Sequence, residues 1–257
     1  MTRTPDQGRL DQELPARGLA RSRSQASELI RSGRVRIGGA VVTKASTSVG
    51  PGDEIRVEAD PWVSRAAHKL LSALDESGVE VPARVLDAGA STGGFTQVLL
   101  SRGARQVYAV DVGHGQLAPL LRADPRVRCL EGVNLRELAI GHVDDRPVDL
   151  AVGDVSFISL RLVMAPILGV LAPGAMALLL VKPQFEVGRQ RLGAGGVVTR
   201  EPDREWAVHQ VLDEAGRLGW NCFWQAPSRL PGSAGNLEFF IGLRRAGDRT
   251  DPAGRGR

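Results

Sequence analysis

The chain reads as an α/β protein: a doubly wound, mostly parallel seven-stranded sheet preceded by a small α+β domain. Three observations carry this. From residue 84 onward, short apolar runs with strand character alternate with amphipathic helical patterns, as expected for a parallel sheet covered on both faces. The first such run, at 84–95, opens into a small-residue loop, Arg-Val-Leu-Asp-Ala-Gly-Ala-Ser-Thr-Gly-Gly-Phe, and then a helix. The basic excess is concentrated ahead of both: residues 1–44 hold nine Lys/Arg and four Asp/Glu, whereas the remaining residues are near −1 within a formal total of +4.

Residues 1–59 form the small domain. Leu10 and Leu14 lie i,i+4 on a short helix that stops at Pro15. Ser22 and Gln25 form a capping-box pair that starts a second helix, with Ala26, Leu29 and Ile30 on its apolar side and Gly33 at its end. Residues 34–37 alternate like a strand, Gly38-Gly39 turns, and Ala40 to Val42 returns. A further turn at 50–53 leads to a short strand at 54–57. Arg17, Arg21, Arg23, Arg31, Arg34, Arg36 and Lys44 decorate this unit. They form either a solvated basic surface or a contact for a polyanion.

Residues 60–64 read as a linker, with Trp62 packing to anchor it. Ser64 can cap a helix running to about Ser77, with Leu70, Leu71 and Leu74 on its apolar side. The domain over 65–245 follows. Its strands are expected at 84–87, 106–111, 126–130, 148–153, 175–181, 219–225 and 236–243. Helical patterns lie at about 94–102, 116–123, 134–139, 158–171 and 200–217. Residues 246–257 are polar and basic, and are expected to be a disordered tail.

Composition excludes several classes. Cys129 and Cys222 are far apart and outside any ligand spacing, which fits a reduced cytoplasmic protein without a metal site. No apolar signal region opens the chain. Leu162 to Val181 carries no charge and is long enough to span a bilayer, but Pro173-Gly174 splits it. It reads as a helix followed by a buried strand, so no membrane role is expected.

The glycine loop identifies a ligand. Glycines let a backbone approach a ligand closely, and a helix N-terminus favours a negative group. A dinucleotide site seats pyrophosphate on G-x-G-x-x-G. Here an acid, Asp87, ends the strand ahead of Gly89, Ala90, Ser91, Thr92, Gly93, Gly94 and Phe95. That acid repels pyrophosphate but suits an ammonium or sulfonium. S-adenosylmethionine (SAM) carries both, with a carboxylate for the helix end. Asp111 ends the second strand, where an acid can bind ribose hydroxyls, and Asn134 follows the third, within reach of adenine or ribose. Asp154 ends the fourth strand in Val-Gly-Asp-Val-Ser-Phe, and Lys182 ends the fifth after four apolar residues. A lysine there costs free energy unless it is paired or has a task. Lys69, on the helix before the loop, and Glu238, on the last strand, complete a charged set. A hydroxyl is a poor nucleophile at neutral pH, so methyl transfer to one needs a base or a positioned cation.

Two resemblances follow from these residues. The stretch from Leu19 to Gly39 is similar to the small αL RNA-binding domain named after a protein of the small ribosomal subunit. Lys69, Asp154, Lys182 and Glu238 match, in type and order, the Lys-Asp-Lys-Glu tetrad of FtsJ-like ribose 2′-O-methyltransferases. Together with Val-Ser-Arg-Ala-Ala-His-Lys-Leu, Asp-Val-Gly-His-Gly-Gln-Leu and Val-Lys-Pro-Gln-Phe-Glu-Val-Gly, they make residues 8–244 resemble the TlyA (hemolysin A) family. The resemblance implies SAM as cofactor and 2′-O-methylation of cytidine in ribosomal RNA, 23S and in some members also 16S. It implies that Lys182 activates or orients the hydroxyl, that Asp154 and Glu238 position that lysine, and that Lys69 adds positive charge. One departure is visible: where some members have an arginine two residues before Trp62, this chain has Asp60, followed by Pro61. Alternative readings are a non-catalytic assembly factor, a membrane-active haemolysin and a small-molecule O-methyltransferase. Lesser expectations concern His68 (RNA contact or helix packing), Phe157 (core packing in preference to base stacking) and the glycine-rich basic loop 186–198 (closing on RNA, or a plain connector).

Overall fold

A computed structural model of the chain describes residues 7–247, apart from 21, 32 and 59 and the side chain of residue 28. The expected tail therefore lies outside the described residues except for 246 and 247, and Arg21 lies outside them too. The chain divides into two compact units, Met1–Pro61 and Trp62–Arg257.

The first unit runs β1 (Gly8–Arg9), α1 (Leu10–Ala16), α2 (Arg23–Arg31), β2 (Val35–Ile37), β3 (Ala40–Val42), β4 (Ser48–Val49) and β5 (Ile55–Val57). Leu10, Leu14, Ala26, Ile30, Val35 and Val49 close its core. Pro15 lies inside the last turn of α1, one residue before its end, and does not stop it. The Ser22 hydroxyl accepts the Gln25 N–H at 3.2 Å, the expected cap of α2. Gly38 and Gly39, at φ +55° and +87°, make the two-residue turn between β2 and β3. β5 pairs with the other side of β2. The β1–β4 pair was not expected, because two residues on each side are too few to show a period.

The second unit holds α3 (Ala66–Ser77), β6 (Arg84–Ala88), α4 (Gly94–Ser101), β7 (Gln106–Asp111), α5 (Pro119–Arg122), β8 (Val127–Glu131), β9 (Val148–Gly153), α6 (Arg161–Gly169), β10 (Leu171–Val181), α7 (Pro183–Glu186), α8 (Glu201–Arg217), β11 (Trp220–Pro227) and β12 (Phe239–Arg245). Its seven strands lie in the order β11-β12-β10-β9-β6-β7-β8. β8, β7, β6, β9 and β10 are parallel, and β12 runs antiparallel to β10 and β11. Successive residues of β6 and β7 face opposite sides. Leu86, Tyr108 and Val110 join a core with α6 and α8. Val85, Val107 and Ala109 join a second core with α3 and α4, against which Trp62 packs, half-buried.

Several expectations are revised. The pattern at 134–139 forms only a 3-10 turn, Leu135–Glu137, capped by the Asn134 side chain. The helix expected at 116–123 shrinks to Pro119–Arg122. No side-chain cap starts α3, so Ser64 does not play that part. β10 begins at Leu171 and runs through Pro173-Gly174, with its pairing to β9 shifting register between Leu171 and Met176. A proline without an N–H and a glycine at φ +79° fit that bulge, whereas they would break a regular ladder.

Candidate active site

One end of the large sheet collects the charged set. Asp154 and Lys182 directly follow the carboxyl ends of β9 and β10, and Glu238 directly precedes β12. Because β12 is antiparallel, its amino end lies at the same edge. Lys69 reaches this edge from α3. The four residues line one cavity of about 520 Å³ together with Gly89 to Thr92, Gly94 and Phe95, within the size range of small-molecule sites.

The pairing is specific. Lys69 Nζ lies 2.5 Å from Glu238 Oε2 and 3.9 Å from Asp154 Oδ2. Lys182 Nζ lies 2.6 Å from Asp154 Oδ1, an ion pair whose angles are not those of a hydrogen bond, and donates to Ser156 Oγ at 2.5 Å. The expectation that Glu238 positions Lys182 is corrected: Glu238 holds Lys69, and Asp154 alone of the two acids holds Lys182. Lys69, Lys182 and Glu238 are buried. Two cations and two anions out of water are tolerable because each has a close opposite partner. Gln184 Nε2 donates to the other Glu238 oxygen at 3.4 Å. Sequence reasoning missed Ser156 and Gln184, although each stands two residues beyond a member of the tetrad.

The glycine loop packs against this set. A Cβ on Gly89, which has φ +84°, would stand 3.1 Å from the Asp154 carbonyl oxygen, so only glycine lets the loop lie on the segment after β9. Gly94 has no Cβ to block Ser64 and Ala66 at the start of α3. Asp111 anchors the loop from the side: Oδ2 accepts the Ser91 N–H at 2.9 Å and Oδ1 accepts the Gly113 N–H at 2.7 Å. Asn134 accepts the Arg136 N–H at 3.1 Å. Both residues thus shape turns in this structure.

Asp87 is fully buried behind the loop and does not line the cavity. Oδ2 accepts the Thr96 hydroxyl at 2.6 Å, and Oδ1 has no hydrogen-bond partner among the described residues. Burial pushes its carboxyl up to about 7; the Thr96 hydroxyl opposes this, and the nearby Asp154 and Asp111 charges add to it. An orphaned buried carboxylate oxygen beside a glycine loop and a helix start fits a ligand carrying both a cation and a carboxylate.

Phe157 corrects the core-packing expectation. It is 93% exposed, lies at φ +65° and meets Phe185 at 5.6 Å between ring centroids, with both rings lining the cavity. A bulky residue in left-handed backbone is strained, and such strain persists where the surroundings impose it. The loop 186–198 is fastened at its far end. Buried Asn236 accepts the Val198 N–H at 2.9 Å and donates to the Gly196 carbonyl at 3.1 Å. Val187, Val198 and Ala207 cluster with Leu192 and Trp206 beneath it.

The cations of the first unit are largely engaged within it. Arg17 bridges Glu13 and the Asp53 and Gly50 carbonyls, and Arg23 reaches buried Asp11, which also holds Arg9. Arg34 pairs with Asp60 at 2.9 Å and with the Glu58 carbonyl, so Asp60 is fastened to this unit. Arg36 meets Glu58 and Arg31 meets the Ser27 carbonyl. Lys44 is exposed and has no side-chain partner among the described residues. These groups stabilise the unit while still presenting positive charge.

Two family models match the chain: FtsJ-like methyltransferase over residues 62–245 and the S4 domain over residues 8–55. The 16S/23S rRNA (cytidine-2′-O)-methyltransferase TlyA of Mycobacterium tuberculosis is 50% identical over 245 residues, 94% of this chain and 91% of that protein. A solved, hemolysin-named protein from Streptococcus thermophilus is similar at a TM-score of 0.73 and 35% identity, over 95% of this chain and 90% of that one. An S-adenosylmethionine-dependent methyltransferase from Mesorhizobium loti, 16% identical over 69% of this chain and 98% of that one, shares the fold at a TM-score of 0.51. Among the described residues no helix is long and apolar enough to cross a membrane.

Proposed function

The chain belongs to the TlyA family of FtsJ-like methyltransferases, and we propose on that footing that it transfers a methyl group from SAM to the ribose 2′-hydroxyl of cytidine in ribosomal RNA. The substrate is 23S rRNA and, as the name of the mycobacterial relative states for that protein, 16S rRNA. The observation that carries the reading is the convergence of Lys69, Asp154, Lys182 and Glu238 on one cavity beside the glycine loop. A non-catalytic assembly factor would leave that costly cluster without a task.

SAM supplies an electrophilic methyl group when bound. Residues 89–95 would hold it; Asp87, buried behind the loop, would act on the cation of its methionine end as a charge across the loop and not by contact, and Asp111 and Asn134 would lie toward its ribose and adenine. Lys182, fixed by Asp154 and Ser156, orients the 2′-hydroxyl and offsets negative charge as that oxygen attacks. The hydroxyl proton leaves to the Asp154 carboxylate by way of Lys182, whose ammonium gives Asp154 one proton as it takes the hydroxyl's and so stays charged. Lys69, held by Glu238, keeps Asp154 company on its other oxygen and adds positive potential. Exposed Phe157, tilted against Phe185, offers a face on which an unstacked base rests.

Residues 1–59 form the RNA-binding head, 60–64 the linker and 65–245 the catalytic domain. The head supplies phosphate contacts, which position without reading sequence. The protein works where ribosomes are made, in the cytoplasm. Reverse-transcription mapping of 2′-O-methyl sites, on rRNA incubated with SAM and protein, tests the reading. New cytidine sites are expected with the wild type and none with Lys182→Ala; full methylation by that variant would sink it.

A further inference from the structure

We propose that Glu186 is a positioning residue for methyl transfer: it fastens the segment bearing Lys182 to the segment bearing Asp154, Ser156 and Phe157. The proposal rests on the methyltransferase reading above. The β9–β10 pairing ends at Gly153 opposite Leu179, so neither Asp154 nor Lys182 is within it. Asp154 is tied by its N–H to the Ala88 carbonyl of β6, whereas Val181, just before Lys182, is tied to Phe239 of β12. The separation of the two reacting groups is therefore set by contacts made beyond the ladder.

Glu186 makes three of these, beside the direct contacts of Lys182 with Asp154 and Ser156. It ends α7, four residues after Lys182, and its side chain is 1% exposed. Oε2 accepts the Ser159 hydroxyl at 2.6 Å and Arg161 Nε at 3.1 Å, and Oε1 accepts the Leu160 N–H at 2.7 Å. All three donors lie just beyond the Asp154-Val-Ser-Phe segment, at the start of α6. A buried carboxylate with one partly exposed counter-ion is expensive. Here it closes a ring through Lys182, Asp154, the 156–160 turn and Glu186 itself. Phe157, at φ +65°, lies within that ring. Glu186 does not line the cavity, so it acts through other residues.

Glu186→Gln tests this. The variant keeps the shape and one acceptor, but turns an NH2 toward Ser159 or Arg161. Single-turnover kcat on rRNA should fall five- to twentyfold, with KM for RNA and the calorimetric Kd for SAM within twofold of wild type. Ser159→Ala, which removes one partner and leaves the charge paired with Arg161, should lower kcat two- to fivefold in the same pattern. A kcat for Glu186→Gln equal to the wild type would overturn the proposal. So would a loss that appears in SAM affinity or KM in place of kcat, since a general loosening of the domain moves those too. The wild-type rate in the same assay tests the methyltransferase reading separately.

Discussion

Replacing Asp87 by Asn should raise the stability of the ligand-free protein at pH 8 while weakening its grip on SAM. The native carboxyl titrates near 7 against an ordinary 3.8 because it is wholly buried. Below pH 3.8 both folded and unfolded chains carry the proton. Between 3.8 and about 7 the unfolded chain gives it up and the folded one keeps it, so stability falls as pH rises. Above about 7 the loss is complete. At about 1.4 kcal/mol for each tenfold step, the full cost is about 4 kcal/mol. Asparagine keeps the shape and an oxygen for the Thr96 hydroxyl but never ionises. Its NH2, placed where Oδ1 lacks a partner, offsets some of the gain. Even a third of the cost would move the melting temperature by several degrees for a domain of this size.

The assay is a pair of thermal melts, ligand-free, across pH 5 to 8.5. The wild type should lose melting temperature over that range more steeply than Asp87→Asn, with the curves crossing. SAM titration calorimetry gives the second half. With Asp87 as the partner of a cation, wild-type affinity climbs as pH rises through 7, and that slope vanishes in the variant. Parallel melting curves for the two proteins would refute the burial argument. A variant that binds SAM with unchanged affinity at pH 8 would refute the assigned partner.

Phe157→Gly should raise the melting temperature slightly, since glycine relieves about 1 kcal/mol of left-handed strain, yet lower kcat/KM on rRNA about tenfold, the loss expected for one stacked base; a melt and a rate measurement decide both. Gly89→Ala should abolish SAM binding by calorimetry, because its Cβ would press on the Asp154 carbonyl in a backbone that disfavours any side chain. Asp11→Ala should destabilise the first unit by about 1–2 kcal/mol in denaturant melts, since Arg9 and Arg23 lose their shared acceptor. Arginine draws the Asp11 carboxyl below its usual range, so the wild-type advantage fades as pH falls through that value.

The strands of the large sheet and their mostly parallel direction were legible because apolar runs alternate with helical patterns; their order in the sheet was not. The chain from Gln106 to Asp111 carries its strand on its face, and the structure keeps those bounds. What escaped was structure made by partners distant in sequence. β1 and β4 are each two residues long and exist only because they pair with one another. The bulge in β10 escaped because Pro173-Gly174 is ordinarily a break, and only pairing with β9 on either side of it, at Leu171 and again from Met176, makes it an irregular part of one strand. Phe157 was misplaced for a related reason: its apolar ring argues for a core, while its backbone, set by the turn after Asp154, aims it outward.

The tetrad was legible in membership but not in pairing. Residue type and position near strand ends nominate Lys69, Asp154, Lys182 and Glu238, yet which acid meets which lysine depends on how the strands are ordered. β12 inserts between β10 and β11 and runs antiparallel, which brings Glu238 to the edge that bears Asp154 and Lys182. There Glu238 takes Lys69, leaving Asp154 to hold Lys182 and to touch Lys69 only at 3.9 Å. The two pairs therefore differ in what their loss does. Removing Glu238 strands the Lys69 charge in a buried place, with Asp154 as its remaining partner, and draws Asp154 away from Lys182. A Glu238→Gln variant accordingly loosens the Lys182–Asp154 pair without touching it, and its kcat should fall while SAM affinity holds.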